Sequence, residues 1–149
     1  MSDEIIKIQN ASKKDIGILY QAELKLFKKP WSVKNFEDEF ELPEKNFKIA
    51  VSKSRICGFS VSRTIIDELH ILKICTFKGY ERKSIGTQLL NFIIKESKAN
   101  MCFLEVDQDN LKALSFYKKN GFKIAGKRKN YYGEGFDALN MTKDLSGGN

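Results

Sequence analysis

Between Leu69 and Val106 the chain spells out a strand, a turn, a helix and a second strand: LHILKICTF, KGYERKS, IGTQLLNFIIKESK and MCFLEV. Two β-rich runs separated by a helix-length segment cannot close as a hairpin. They are joined by a crossover and lie parallel in one sheet. The other β-rich runs follow one another closely. FKIAVSK and ICGFSVSR flank a short polar turn at Ser54 and Arg55, ELHILKICTF follows a turn near Ile66 and Asp67, and FKIAGKR and FDALNMTK close the chain. Neighbours of that kind pair antiparallel. The expected class is therefore α/β: a mixed, mostly antiparallel sheet with a central parallel β-α-β crossover and helices on both faces.

The remaining elements follow from spacing and caps. EIIKIQN reads as a first strand. Ser12 opens SKKD, a capping-box-like start with Asp15 at its third position. Ile16, Leu19, Tyr20, Leu24 and Phe27 then recur at helical spacing until Pro30. Ser32 caps a second helix with Val33, Phe36 and Phe40 on one face, ended by Pro43. The crossover helix presents Ile85, Leu89, Phe92 and Ile93. NLKALSFYKKNG is a further helix, with Gly121 as its left-handed C-cap. The order is β-α-α-β-β-β-α-β-α-β-β. Its 149 residues suit one domain, expected over 1–145, with 146–149 as a disordered tail.

Composition narrows the function. No run approaches the roughly 18 apolar residues of a membrane span, and the start MSDEIIKI lacks an apolar secretory core. Cys57, Cys75 and Cys102 each sit in an apolar run, odd in number and without metal-ligand spacing. That pattern implies reduced, buried thiols in a cytoplasmic protein and no metal. The formal net charge of +7 attracts polyanions such as RNA, a ribosome or a phosphate-rich cofactor. The lysines are scattered, however, and their densest cluster is GKRKNYY, Gly126 to Tyr132. A solvated basic surface accounts for them without a dedicated nucleic-acid site.

The turn GYERKS invites closer reading. A helix N-terminus carries unpaired N–H groups and about half a positive charge, and after a strand it makes an anion site. Successive loop N–H groups can cradle phosphate oxygens. Ser84 is small and Gly86 has no side chain, which allows close approach to the backbone. Arg82 and Lys83 add cations suited to phosphate. An ordinary basic turn between strand and helix has the same composition, so two readings stand.

LHILKICTFKGYERKSIGTQLL followed by FLEVDQDNLKALSFYKKNGF resembles the GNAT family of acetyl-coenzyme A-dependent N-acetyltransferases, in particular its branch that acetylates ribosomal-protein N-termini. FKKPWSVKNF is similar to that branch's N-terminal helix pair and ICGFSVSR to its third strand. The resemblance implies a GNAT-like fold and a loop pattern Q/R-x-x-G-x-G/A whose amides hold the cofactor pyrophosphate. Here the positions read Glu81, Arg82, Lys83, Ser84, Ile85 and Gly86, continuing into Thr87. Glu81 replaces Gln or Arg, and Ser84 replaces a glycine. The main chain at Ile74 and Thr76 would pair with the pantetheine, and Asn110 and Ala113 would meet the pantetheine and phosphate end. Asn110 equally suits an N-cap.

Acetyl transfer to an amine needs a base for the amine, a polarised thioester carbonyl and a proton for the leaving thiolate. By resemblance, Glu105 in FLEV is the general base. Read as a residue, it is a carboxylate among apolar neighbours or a strand position facing solvent. Tyr117 resembles the family's general acid; a phenol, with an ordinary pKa near 10, keeps its proton at neutral pH. An amphipathic core tyrosine is the alternative. His70, the single histidine, falls where other family members keep a glutamate base and could titrate near neutrality. Tyr131 and Tyr132 resemble an aromatic pair lining the peptide groove. Trp31, with Phe27, either borders that groove or anchors the helices.

The implied function is transfer of acetyl from acetyl-coenzyme A to a protein N-terminus, a ribosomal protein first, with no membrane and no direct nucleic-acid contact needed. Two other readings stand: an enzyme of the same family acting on a polyamine or aminoglycoside, and a non-catalytic basic module that binds RNA or the ribosome.

Overall fold

A computed structural model describes residues 5–81, 83–129 and 137–147. The elements are β1 (Lys7–Asn10), a 3-10 turn (Lys13–Asp15), α1 (Ile16–Leu26), α2 (Val33–Phe40), β2 (Lys45–Ser52), β3 (Arg55–Ile65), β4 (Glu68–Thr76), α3 (Ile85–Ser97), β5 (Met101–Asp107), α4 (Leu111–Lys119), β6 (Lys123–Arg128) and β7 (Ala138–Asp144). This is the expected order, and the class is a mixed α/β sheet. The strands form one seven-stranded sheet, β1-β2-β3-β4-β5-β7-β6. Only β4 and β5 run parallel, joined by α3; all other pairs are antiparallel.

Local chemistry explains the boundaries. The Asp15 carboxylate accepts the Ser12 backbone N–H at 2.8 Å and so starts the first helical segment. Ser32 Oγ accepts the Asn35 N–H at 3.1 Å, and the Asn35 side chain accepts the Ser32 N–H at 3.0 Å. The β2–β3 turn is Lys53–Ser54, both with positive φ, a two-residue turn whose twist matches its strands. Gly121, at φ +91, ends α4 as expected.

The helices sandwich the sheet. α1 and α2 bury Ile16, Leu19 and Phe36 against Phe47, Ile49, Phe59, Val61 and Cys75. On the other face, α3 and α4 bury Leu90, Ile93, Leu114 and Tyr117 against Leu69, Ile71, Cys102, Leu104, Val106 and Met141. Gly58 lets α3 lie close: a Cβ there would stand 2.7 Å from Ile85 Cγ2 and 2.8 Å from the Cys75 carbonyl.

Two expected stripes each differ at one position. On α1 the core position belongs to Glu23, fully buried, while Leu24 is exposed. On α3, Leu90 is buried and Phe92 faces out, where the Lys48 ammonium lies 5.6 Å from its ring. Val33 on α2 is also exposed. The three cysteines are free and buried, as expected. Burial pushes the Cys75 and Cys102 thiols up to about 12. Of the tail, Ser146 donates to Asp144 Oδ1 through its backbone N–H at 2.9 Å, and 148–149 lie outside the described residues. No helix among the described residues is long and apolar enough to cross a membrane.

Candidate active site

The crossover creates the cleft. β4 and β5 pair only from Glu68↔Met101 to Ile71↔Leu104. Beyond that point β4 stays with β3 as far as Thr76, and β5 stays with β7 as far as Asp107. The two strands therefore diverge at the end where the crossover loop and the α4 N-terminus gather, the carboxyl end at which open α/β sheets bind ligands. A cleft of about 410 Å³ fills the split. Leu72, Lys73 and Ile74 form one wall and Glu105, Val106 and Asp107 the other. Asn110 to Ala113 and Tyr117 close it from α4, and Leu26 to Lys29 from the α1–α2 connection.

A bulge shapes the first wall. The β3–β4 register runs Val61↔Lys73 and then Ser62↔Ile71, so Leu72 is an extra residue on β4. Because side chains alternate, one inserted residue reverses every later side chain. Leu69 and Ile71 therefore face α3, whereas Cys75 packs on the α1–α2 side. Ile74 returns to the α3 face and lines the cleft.

Glu105 and Tyr117 share this cleft. Arg128 Nη1 of β6 donates to both Glu105 carboxylate oxygens at 3.2 Å, which fixes the plane of the carboxylate. Tyr117 is buried, edge-on to Phe116 (5.1 Å between centroids) and to Phe122 (5.4 Å). Its ring is thus clamped between aromatic neighbours. The Asn110 side chain accepts the Ala113 N–H at 3.1 Å and caps α4, while both residues line the cleft.

The crossover loop departs from ideal geometry where the sequence departs from the family pattern. Ser84 adopts a left-handed conformation, φ +57, the region that favours glycine. Its side chain caps nothing, and the first loop-to-helix bond is the Gln88 N–H to the Ser84 carbonyl at 2.9 Å. The turn of amides at Ile85, Gly86 and Thr87 thus heads α3 without a side-chain acceptor from its cap residue. Ile85 itself is buried in the core. Glu81 folds back: its carboxylate accepts the Gly79 N–H at 2.9 Å. Its own backbone N–H and that of Gly79 together hold the carboxyl below its ordinary value. The exposed acid therefore bonds to its own loop's amides. Gly86 has a packing partner as well: a Cβ there would meet the Phe116 ring at 3.2 Å, so its bareness lets α3 and α4 touch. Lys83 donates its backbone N–H to the Tyr80 carbonyl at 3.3 Å.

Other expected site residues lie apart or outside. His70 is on the paired part of β4, away from the cleft lining, stacked on Phe103 at 5.2 Å and 3.0 Å from Glu68 Oε1. Trp31 sits behind Phe27, edge-on to Phe36 at 5.2 Å, while Phe27 itself lines the cleft. Thr76 pairs with Gly58 at the end of β4. Arg82, Tyr131 and Tyr132 lie outside the described residues. No cluster of metal-ligating side chains occurs among the described residues.

Sequence reasoning missed Arg128 and the pair Glu23–Lys73. Arg128 lay inside the noted KRKNYY cluster, but nothing local ties it to Glu105, 23 residues away. Glu23 did carry a signal: it falls four residues after Leu19 and seven after Ile16, on the core stripe of α1.

A divided parallel strand pair, a crossover loop at the helix head and a cleft lined by both a carboxylate and a tyrosine suit an α/β domain to acyl transfer. The model of the acetyltransferase (GNAT) family matches residues 16–122. A ribosomal protein bS18-alanine N-acetyltransferase of Haemophilus influenzae is 33% identical over 124 residues, 79% of this chain and 82% of that one. N-alpha-acetyltransferase RimI of Mycobacterium tuberculosis is 30% identical over 129 residues, covering 83% and 82%. The crystal structure of the ribosomal-protein-S18-alanine N-acetyltransferase from Escherichia coli superposes with a TM-score of 0.86 at 25% identity, over 95% of both chains. The chain belongs to the acetyltransferase (GNAT) family and is an acyltransferase.

Proposed function

We propose that this protein transfers acetyl from acetyl-coenzyme A to the N-terminal α-amine of a protein, a ribosomal protein in the first instance. The observation that carries the reading is that Glu105 of β5 and Tyr117 of α4 line one cleft, at the split between β4 and β5. The chain's residues suit the co-substrate. The β4 edge at Leu72 to Thr76 has no β5 partner, which leaves room for an extended amide-bearing chain to pair as an added strand. The uncapped head of α3 suits a pyrophosphate.

Acetyl-coenzyme A supplies the activated acyl carbonyl and, in its sulfur, the leaving group. Glu105, oriented by Arg128, takes the proton that the attacking amine loses. An α-amine titrates near 8, so a carboxylate acting through water is a strong enough base, whereas a lysine amine near 10.4 is a poorer acceptor. Tyr117 delivers its phenolic proton to the departing sulfur. Its ring packs edge-on against Phe116 and Phe122 while the residue lines the cleft. His70 takes no part in this scheme.

Glu105→Gln and Tyr117→Phe should each lower kcat by about 10²- to 10⁴-fold. The Kd for acetyl-coenzyme A, from titration calorimetry, should stay within a few-fold of wild type. Comparable loss of cofactor binding in both variants would remove these role assignments. Assays with alanine- and serine-initiated ribosomal peptides beside a polyamine separate the protein-acceptor reading from the small-amine one. Salt-sensitive RNA binding with no cofactor affinity would favour a non-catalytic module instead.

A further inference from the structure

Beneath the cleft lies an ion pair that the acetyl-transfer scheme does not use. Lys73 Nζ is 2.7 Å from Glu23 Oε2, with the two side chains 10% and 0% exposed. The same Glu23 oxygen accepts the Trp31 backbone N–H at 2.6 Å. The ammonium also lies 4.5 Å from the centre of the Trp31 ring and 5.1 Å from that of Phe27. Glu23 Oε1 is buried and has no hydrogen-bond partner.

Three elements thus meet at one carboxylate: α1 through Glu23, the α1–α2 connection through Trp31, and β4 through Lys73. The β4 bulge is what makes the meeting possible. Were Leu72 regularly paired instead of bulged, Lys73 would share the α3 face with Leu69 and Ile71, on the far side of the sheet from Glu23. A buried ion pair adds little stability that well-packed apolar residues could not supply. What it adds is registry, because a buried carboxylate served by two donors at one oxygen and by none at the other tolerates no loss of either donor. The segment so held begins with Leu26 to Lys29, which line the cleft.

We infer that Glu23 and Lys73 are positioning residues for the acetyl acceptor, holding the 26–31 segment against β4 and so setting the width of the acceptor mouth. The inference rests on the reading that the loop side of the cleft takes acetyl-coenzyme A and the remaining rim takes the peptide. Burial lowers the Lys73 pKa, consistent with an ammonium that depends on Glu23 for its charge.

Lys73→Met should raise the KM for an alanine-initiated peptide at least tenfold, a larger change than in kcat. Lys73→Arg should restore KM. The double variant Glu23→Gln/Lys73→Met removes the stranded charge, so its melting temperature should recover while KM stays raised. Recovery of KM together with melting temperature would make the pair merely structural and overturn the inference, as would an unchanged KM in Lys73→Met.

A second readout needs no turnover. Trp31 is the only tryptophan, and acrylamide quenching of its fluorescence reports on the 26–31 segment directly. Well below the melting temperature, Lys73→Met should quench several-fold more steeply than wild type or Lys73→Arg. Equal quenching in all three would overturn the inference. If wild type modifies no peptide, the proposed acceptor fails, and the quenching result still decides whether the pair holds the rim.

Discussion

Ser84 shows how a single residue can carry strain into a binding loop. An L-residue in the left-handed region costs about 1–2 kcal/mol, and the Ser84 side chain makes no capping bond in return. Glycine at this position would lose nothing and relax the backbone, offset by its greater freedom when unfolded. Ser84→Gly should stabilise the protein by about 0.5–1 kcal/mol, seen as a rise in Tm of roughly 2 °C in a thermal melt. An unchanged or lower Tm would mean that the strain is relieved elsewhere in the loop. Glu81 belongs to the same picture, since its carboxylate occupies the amide of Gly79 that the loop would otherwise present outward.

At the level of elements, the strands under α3 hold thiols where charge is forbidden. Cys102 of β5 is fully buried, and its thiol is pushed from the ordinary 9.0 up to about 12, chiefly by burial. Between those values the unfolded chain has lost the proton and the folded chain still holds it. The native state then binds more protons, so stability falls as pH rises through that window. The slope is about 1.4 kcal/mol per pH unit for one such group. Cys102→Ala should flatten the alkaline loss by about that slope, measured by urea unfolding at about pH 8.5, 9.5 and 10.5. Parallel pH profiles for variant and wild type would count against the buried, protonated thiol.

The molecule as a whole carries a formal charge of +7, and Lys28, Lys29 and Lys112 line the cleft together with Asp107 and Asp109. A net positive field repels basic acceptors at a distance, and salt screens that repulsion. Raising sodium chloride from about 50 to about 300 mM should lower the KM for a basic peptide and raise it for an acidic one, with kcat little changed. The same salt trend for both peptides would show that the global field does not govern acceptor encounter. The field also suits the anionic phosphates expected at the head of α3.

Much of this was legible in the residue order. Alternation and helical spacing are local properties, so the β-α-β crossover, the cap at Ser32 and the left-handed Gly121 could be read in advance, while Glu105 and Tyr117 were picked out by the family resemblance. The stripe errors were also local. Glu23 and Leu24 compete for one position on α1, and hydropathy chose Leu24, because a buried carboxylate is affordable only when a partner waits across the fold. That partner, Lys73, lies fifty residues away and turns toward Glu23 only because Leu72 bulges from β4. The divergence of β4 from β5 beyond Ile71 and Leu104, the insertion of β7 between β5 and β6, and the grip of Arg128 on Glu105 are likewise agreements between distant segments. The sequence by itself determined which elements form and where the candidate residues fall along them, since those depend on neighbours along the chain. Only the tertiary structure decided where the sheet opens and which charges meet, since pairing and burial are settled by neighbours in space.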